Sequence, residues 1–326
     1  MKNSKCKSKS GSQQARRILL RAFFILNFAF CIPATVTAGQ STPPTVTAKR
    51  EVTDETGRRV AVPATVRRIV SLAPSLTETL FALGAAERIA GVTDYCDYPP
   101  AALAKPKVGG AINPSLEQIV ALQPDVVLAT RALNRRETVD ALERLGIAVY
   151  ATDPRSVEDT LESTRRLAAL IGADEAGERL VTSLRARLEE LGRRLAGRAP
   201  KRVLFIVWHD PLVSIGRETF LADALRRAGA ESVVETTQDW PRLNLEEVIR
   251  LQPDYLVFAS AHAAGIEQTH DELRSRPGWR KLRAVVERHI AVVSDAVNRP
   301  APRLVDAIEE LARQLHPEAF AEAPRE

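Results

Sequence analysis

A short stretch occurs twice in the chain, and this repeat constrains the fold more than any other feature of the sequence. The first copy covers residues 115–125 and the second covers residues 244–254. Each copy fits a helix that begins with a capping box, shows one apolar face and ends before a proline, and the apolar run that follows predicts a buried strand. One helix–strand unit used twice predicts two similar α/β lobes. It also places Glu117 and Glu246 at equivalent points on the two lobes.

Strand and helix patterns alternate on both sides of a long helical segment, which predicts parallel sheets with helices on their faces. In that segment the helix expected over residues 174–196 has leucines at intervals of three and four, so that one face is apolar. A coiled-coil dimer seam is one interpretation. Because the seam is short and begins near Gly177, we favour a strut packed across both lobes. Elsewhere, Ser75 and Glu78 fit a capping box at the first helix, and Pro300 is expected to begin the last helix.

The patterns divide the chain into segments whose lengths suit two lobes of ordinary domain size. A hydrophobic share of 45% supports a packed core in each lobe. The expected segments are a signal peptide (1–38), a disordered leader (39–49), an N-terminal α/β lobe (50–155), a bridging helical segment (156–198), a C-terminal α/β lobe (199–317) and a tail (318–326).

Residues 1–38 have the composition of an export signal. Seven basic residues and no acid precede a short apolar core at 22–32, and small residues at 36–38 predict cleavage near Ala38 and an exported protein. The core is too short to span a bilayer, which takes about 20 residues, so a retained membrane anchor is the less favoured alternative. The arginine pair at 16–17 leaves both the Sec and the twin-arginine route open.

Charge and cysteine content bound the partners of the mature protein. The chain has 46 Lys and Arg against 41 Asp and Glu, and a pI near 9.3. Seven of those basic residues belong to the predicted signal, so the mature chain is slightly acidic and no nucleic-acid partner is expected. Cys96 is the single cysteine left after cleavage, which excludes an internal disulfide. A small buried side chain is expected there rather than a reactive thiol.

Loops that follow predicted strands carry the candidate binding residues. In parallel α/β sheets the carboxyl ends of the strands form the crevice where ligands bind. Although tryptophan often belongs to a core, two of the three tryptophans fall on such loops. An apolar wall with a few polar groups suits a large, flat, partly polar ligand. The candidate ligand-binding residues are Tyr95, Trp208, Trp240, Asp295 and Arg299.

Catalytic signatures are missing from the sequence. There is no G-x-S-x-G elbow, P-loop or G-x-G-x-x-G motif, so we predict no catalytic residues and a protein that is not an enzyme. The five histidines fall in the second half without a third ligand at metal-site spacing, so surface positions and no metal site are expected. His209 is the exception, because its loop places it within reach of a metal carried by a ligand. An exported α/β hydrolase is a distant alternative that needs a nucleophile and a base.

Several motifs occur in order between Arg50 and Leu315, and together they are specific. They are residues 68–75 with the Thr77-Glu78 pair, 97–100, 108–110 with 113–117, 210–212 and 299–303. Through these motifs the chain resembles the iron-chelate and cobalamin-binding family of periplasmic proteins that serve ABC importers. The resemblance implies two Rossmann-like α/β lobes joined by a long rigid helix, with the ligand in the cleft between them.

The resemblance also implies a ligand and a site. The ligand is cobalamin or a related corrinoid, with no cofactor. Four residues fall where the family contacts the corrin ring or its amide side chains, and these are Tyr95, Trp240, Asp295 and Arg299. Glu117 and Glu246 fall where each lobe offers a glutamate to arginines of the permease subunits. Ala111 departs from the pattern, because it stands where the family has a tryptophan against the ligand.

We therefore expect a monomeric periplasmic protein that captures a corrinoid and delivers it to an inner-membrane ABC importer. A haem or ferric-siderophore binding protein on the same scaffold is the alternative. His209 as an iron ligand would favour haem, and cationic cleft residues beyond Arg299 would favour an anionic siderophore. A coiled-coil interaction protein is a further alternative from another class.

Overall fold

The computed structural model describes residues 48–260 and 266–321. The predicted signal peptide, most of the predicted leader and the end of the predicted tail lie outside these residues. Lys49, which the sequence assigns to the disordered leader, is instead the first residue of a strand. Within the two described ranges, no helix combines the length and the hydropathy that crossing a bilayer requires.

The first lobe consists of an antiparallel hairpin and a four-stranded parallel sheet with helices. Its elements are β1 (Lys49–Thr53), β2 (Arg59–Pro63), β3 (Ile69–Ser71), α1 (Pro74–Ala82), β4 (Ile89–Val92), α2 (Leu116–Ala121), β5 (Val126–Thr130), α3 (Arg136–Arg144) and β6 (Val149–Thr152). The parallel sheet has the order β4-β3-β5-β6. Every residue of β5 is buried, as expected for an apolar strand covered on both faces.

Two helices connect the lobes, and a second parallel sheet follows them. The connecting helices are α4 (Val157–Ile171) and α5 (Asp174–Leu195). The second lobe contains β7 (Lys201–Ile206), β8 (Trp208–His209), β9 (Leu212–Val213), α6 (Phe220–Arg227), β10 (Ala230–Ser232), α7 (Leu245–Leu251), β11 (Tyr255–Ala259), α8 (Ile266–Ser275), α9 (Arg283–Val286), β12 (Ile290–Val293) and α10 (Leu304–Leu315). Its main sheet has the order β10-β7-β11-β12, so the strand after each repeat is the third in both sheets. The prediction of two similar α/β lobes is confirmed.

The repeat forms the same local structure in both lobes. The side chain of Ser115 accepts a hydrogen bond from the backbone N–H of Gln118 (3.2 Å), and Asn244 accepts one from Glu247 (2.7 Å). The return half of the predicted capping box is not seen at Ser115, whose N–H donates instead to the carbonyl of Val108 (2.8 Å). Both helices are thus capped by a single side-chain contact.

The two copies also end alike. Gln123 and Gln252 both adopt a left-handed backbone conformation, with φ of 46° and 44°. Two residues further on, an aspartate carboxylate accepts a hydrogen bond from the backbone N–H of an arginine at the neighbouring strand. These bonds join Arg68 to Asp125 (2.9 Å) and Arg202 to Asp254 (3.2 Å). The equivalence of the two lobes therefore extends beyond the repeated letters to the strand beside them.

α4 and α5 form a brace that packs into both lobes. Val157 at the start of α4 belongs to the core of the second lobe, whereas Leu170 near its end belongs to the core of the first. Leu180 of α5 contacts both cores. A Cβ atom at Gly177 would lie 2.4 Å from that of Ala168, so the two helices approach closely where only glycine fits. The leucine face of α5 is buried inside this chain and is not open as a coiled-coil seam.

Two helix starts differ from the sequence prediction. α1 begins at Pro74 with Ala73 as its N-cap, so that Ser75 and Glu78 lie inside the helix and are buried. Proline is favoured at the first helical position because its N–H has no helical partner to lose. α10 begins at Leu304 rather than at Pro300. Both shifts matter for the cleft, because Glu78 and the residues before α10 meet there.

Candidate ligand-binding site

The carboxyl ends of the two parallel sheets face each other across a cleft. Arg299 follows β12 of the second lobe, and its NH1 atom lies 2.7 Å from Oδ1 of Asp97, which follows β4 of the first lobe. A second inter-lobe ion pair joins Arg155, which follows β6, to Asp239 of the second lobe, with NH1 and Oδ2 3.1 Å apart. These two ion pairs bring together the loops at which ligands bind in such sheets.

Glu78 is the centre of the larger group of inter-lobe contacts. Its carboxylate accepts a hydrogen bond from NH1 of Arg299 (2.6 Å) and two from Arg303 (both 2.8 Å). The guanidinium of Arg303 also lies over the ring of Tyr98, 3.4 Å from its centroid. The side chain of Glu78 is only 2% exposed. The capping-box pattern at Glu78 gave no sign of this role, and no local signal in the sequence marks Arg303 as its partner.

The four charges of this group balance, and each partner favours the ionised form of the other. The hydrogen bond from Arg299 lowers the pKa of the Asp97 carboxyl. The hydrogen bond to Glu78 raises the pKa of Arg303. Burial acts to lower the pKa of Arg299, but its bonds to Asp97 and Glu78 outweigh burial and raise it. The group pairs two acidic side chains with two guanidiniums and adds no net charge to the cleft.

Three aromatic side chains are exposed on segments that follow strands of the two parallel sheets. Tyr95, Trp208 and Trp240 are 66%, 48% and 45% exposed, although large apolar side chains are usually covered. Trp208 donates a hydrogen bond from Nε1 to the carbonyl of Asp210 (2.7 Å). The third tryptophan, Trp279, is buried in the core of the second lobe. The two loop tryptophans are therefore surface groups with apolar area open to a ligand.

The loop that carries Trp240 is hydrogen-bonded to the segment that follows β9. Backbone N–H groups of Ser214 and Gly216 donate to the carbonyls of Pro241 and Asp239, both at 3.0 Å. A Cβ atom at Gly216 would lie 2.1 Å from the carbonyl oxygen of Gln238, so a larger residue would displace the loop. These backbone contacts position the loop that carries the indole, which lowers the loop-ordering entropy that binding would cost.

On the first lobe, Ala111 is buried under the wall of the cleft. Its carbonyl accepts a hydrogen bond from the amide of Asn134 (2.8 Å), which also donates to the carbonyl of Leu72 (3.0 Å). The ring of Tyr95 passes near the adjacent glycine, 3.9 Å from where a Cβ of Gly110 would stand. Ala111 is small and buried, so it offers little area to a ligand. Tyr95 is the exposed aromatic side chain near it on the first lobe.

Asp295 is partly buried and begins the turn after β12, on the same connection as Arg299. It interacts with other parts of the protein.

Cys96 is fully buried between the hydroxyls of Thr77 (3.1 Å) and Thr93 (3.2 Å). The expectation of a small buried side chain at Cys96 is confirmed.

The histidines differ partly from expectation. His270 and His316 are buried rather than on the surface, and their Nε2 atoms lie within hydrogen-bonding distance of backbone carbonyls (2.9 and 2.8 Å). His209 is stacked beside Trp208, and its Nε2 lies 3.4 Å from the guanidinium of Arg276. Among the described residues, no group of three or more His, Cys, Asp or Glu side chains is placed to hold a metal ion. His262 lies outside the described residues.

The repeated glutamates have the placement that the sequence predicts. Glu117 and Glu246 are each the second residue of their helices, α2 and α7, and both are exposed. Neither forms an ion pair with another residue in the described part of the chain. Their carboxylates favour the positive end of the helix dipole and are open to a partner.

Comparison with known proteins identifies related sequences and structures. A family described as periplasmic binding protein matches residues 69–296. An uncharacterised ABC transporter substrate-binding lipoprotein, YvrC of Bacillus subtilis, is 29% identical over 83% of this chain and 87% of its own length. A vitamin B12-binding protein of Vibrio cholerae is 28% identical over 78% of this chain and 91% of its own. The structure of the periplasmic heme-binding protein BhuT with two hemes superposes with a TM-score of 0.70 and 28% identity, covering 78% and 99% of the two chains.

Proposed function

The chain belongs to the periplasmic binding protein family, and on that premise we propose that it captures cobalamin or a related corrinoid. The ligand would lie in the cleft between the two lobes, in contact with Tyr95, Trp208, Trp240, Asp295 and Arg299. The protein would then deliver it to an inner-membrane ABC importer. The vitamin B12-binding protein of Vibrio cholerae, matched over most of both chains, supports this choice.

The observation that carries the proposal is a charge-balanced group of ion pairs in the cleft, with exposed aromatic rings near it. A corrin ring offers apolar faces and a rim of uncharged amides, whereas haem carries two carboxylates. Trp208 and Trp240 supply apolar area for the faces. Arg299 and Arg303 are already matched by two carboxylates, so they do not make the cleft cationic. An uncharged rim therefore suits these loops better than an anionic one.

Haem is the alternative ligand, favoured by one feature of the cleft. His209 is the last residue of β8, beside the exposed ring of Trp208, and a neutral imidazole is a common ligand of iron. The heme-binding relative is as similar in sequence as the vitamin B12-binding one. The guanidinium of Arg276 beside His209 is paired with the carboxylate of Glu272, so this contact does not distinguish between the two ligands.

We propose that the protein acts as a carrier and not as an enzyme. It would be exported to the periplasm, with the signal peptide removed near Ala38. It would act as a monomer, because the apolar face of α5 packs inside the chain. Glu117 and Glu246 would dock the two lobes onto arginines of the permease subunits, with no nucleic acid involved.

Calorimetric titration of the purified mature protein tests the proposal. Cyanocobalamin, haem and a ferric siderophore are each added to the protein under the same buffer conditions. We expect saturable binding of cyanocobalamin with a stoichiometry of one, and weaker binding of the two anionic chelates. Tight binding of haem without binding of cyanocobalamin would favour the alternative ligand. Binding of none of the three would contradict a tetrapyrrole or iron-chelate carrier.

A further inference from the structure

We propose that Asp97 sets the charge selectivity of the cleft, by placing a carboxylate beside the donors of Arg299 that remain available to a ligand. The inference rests on the proposed function, because it names the chemical class of ligand that the same cleft accepts. Its basis is the way in which the donors of one guanidinium are shared between two carboxylates of unequal exposure.

Both hydrogens of one nitrogen of Arg299 are already engaged. NH1 donates to Oε1 of Glu78 at 2.6 Å and to Oδ1 of Asp97 at 2.7 Å. A guanidinium has five N–H donors, so three remain on Nε and NH2. No other residue in the described ranges accepts from them. Arg299 therefore has one nitrogen saturated by carboxylates and keeps other donors for a ligand.

The two carboxylates on Arg299 differ in what a ligand can reach. Glu78 is 2% exposed and receives a forked pair of bonds from Arg303 as well. Asp97 is 59% exposed and makes its ion pair with Arg299 alone among the described residues. Glu78 therefore anchors Arg299, whereas Asp97 is the partner that stands at the ligand-facing side.

This arrangement favours a neutral acceptor over an anionic one. The carbonyl of an amide can accept from the remaining donors of Arg299 without disturbing Asp97. A ligand carboxylate at the same place would lie beside the carboxylate of Asp97, and like charges in contact oppose binding. The hydrogen bond from Arg299 also lowers the pKa of Asp97, so this residue stays charged at neutral pH. Asp97 thus rejects carboxylates while leaving amides unaffected.

A simpler role for Asp97 is that of a tether between the lobes. A tether would weaken the binding of every ligand to a similar extent when it is removed. A selectivity residue would change the ratio between two ligands that differ only in their side-chain charge. The ratio of affinities is therefore the readout that distinguishes the two roles.

The experiment uses a matched pair of corrinoids. Dicyanocobinamide carries neutral amides around the ring, and dicyanocobyrinic acid carries carboxylates at the same positions. Their affinities are measured by calorimetry at pH 7 with the parent protein and with Asp97→Asn. Asparagine keeps the size of the side chain and removes its charge. We expect the preference of the parent for the amide form to fall by about tenfold, mainly through tighter binding of the carboxylate form.

Asp94→Asn is the control. Asp94 lies three residues earlier in the same loop, is exposed, and makes no ion pair with the described residues, so the substitution changes the same charge without touching Arg299. We expect its ratio to stay within about twofold of the parent. Melting temperatures of the two variants verify that both are folded.

Two results would overturn the inference. The first is an unchanged ratio of affinities in Asp97→Asn, which assigns the tether role if both affinities fall equally. The second is an equal change of the ratio in both variants, which would indicate a general effect of charge. If the parent itself binds neither corrinoid, the proposed function fails and the inference fails with it, and this outcome is recognised from the parent protein alone.

Discussion

Glu78 joins the two lobes through a single buried carboxylate. Three hydrogen bonds from Arg299 and Arg303 converge on it, all between 2.6 and 2.8 Å. Removing one member of a buried ion-pair group leaves the others without a counter-charge, which costs about 3 kcal/mol or more. We therefore predict that Glu78→Gln lowers the free energy of unfolding by about 3 kcal/mol, measured by urea denaturation.

The control for this substitution is Glu87→Gln. Glu87 is exposed in the turn that follows α1 and makes no ion pair with the described residues. It should change stability by less than about 0.5 kcal/mol. Equal stabilities of the two variants would mean that solvent screens Glu78 in spite of its burial, and that the inter-lobe contacts contribute little.

Trp240 is the residue whose loss should weaken the proposed ligand contact most. Its loop is fixed by backbone hydrogen bonds, and Trp240 is 45% exposed in the ligand-free protein. A well-placed aromatic anchor typically contributes about 2 kcal/mol or more to an interface. We predict that Trp240→Ala raises the Kd for cyanocobalamin about 30-fold, and that Trp240→Phe raises it less, in calorimetric titrations.

Leu145→Ala is the matched control for an exposed apolar side chain. Leu145 is exposed and follows α3 directly, before β6 begins. It therefore lies near the amino ends of the strands, whereas the cleft lies at their carboxyl ends. Its substitution should leave the Kd unchanged. An unchanged Kd in Trp240→Ala as well would place the ligand away from this loop.

At the scale of single residues, the sequence predicts local placement better than partners. Trp240 lies on a loop as expected, whereas Trp208, also predicted on a loop, begins the short strand β8. Both side chains are exposed, as a binding role requires. The capping-box pattern at Ser75 and Glu78 is misleading, because Pro74 takes the first helical position and moves both residues into the helix. The bond between Glu78 and Arg299 joins residues 221 positions apart, and no local pattern encodes such a pair.

The repeated helix–strand unit is the element that the sequence predicts most fully. Its caps, its proline and its apolar periodicity are all local signals, so both helices and both strands form where they are expected. The left-handed glutamines that end the helices are not predicted, since a non-glycine residue in that conformation has no distinctive sequence signal. The start of α10 is not predicted correctly because residues 301–303 form a turn before the helix, and the N-cap Arg303 makes no side-chain capping bond.

The docking role of the repeat is testable through its exposed acids. Glu117→Arg combined with Glu246→Arg reverses one charge on each lobe at equivalent places. Loss of the helix-dipole contact costs about 0.3–1 kcal/mol for each residue, so the protein should stay folded and keep its affinity for the ligand. Because arginine on both sides replaces attraction by repulsion, we predict that delivery of cyanocobalamin to the reconstituted importer is lost, with partial loss in each single variant.

A second pair of reversals separates docking from general charge. Glu137 and Asp174 are exposed acids in the first turns of α3 and α5, and neither makes an ion pair with the described residues. Glu137→Arg combined with Asp174→Arg makes the same change in net charge outside the repeat. We expect normal delivery by this variant. Normal delivery by the Glu117 and Glu246 variant would leave the dipole contact as the only role of these acids.

At the scale of the whole molecule, a helical brace and two groups of ion pairs relate the lobes. The leucine spacing of α5 predicts a strut, and the structure confirms a helix that contacts both cores. The predicted bridging segment, residues 156–198, includes α4 as well. The sequence does not predict that the apolar face of α4 divides between two cores, because those cores are assembled from distant parts of the chain. The mutual orientation of the lobes depends on these long-range contacts and not on any local pattern.

A brace of this kind opposes large rotation of one lobe against the other. Binding proteins that close widely have hinges of a few residues that absorb the change in backbone angles. Here the connection consists of two packed helices, with a close approach at Gly177 that movement would disturb. We therefore expect the cleft to accept its ligand with little change in the relation of the lobes.

A crystal structure of the mature protein with cyanocobalamin tests the central claim most directly. The predicted result is a corrin ring between Tyr95 of the first lobe and Trp240 of the second, with Asp97 still bonded to Arg299 and the lobes oriented as in the ligand-free protein. A corrinoid bound outside the inter-lobe cleft, or a complex in which the lobes have rotated so far that the contacts of Glu78 are broken, would contradict it.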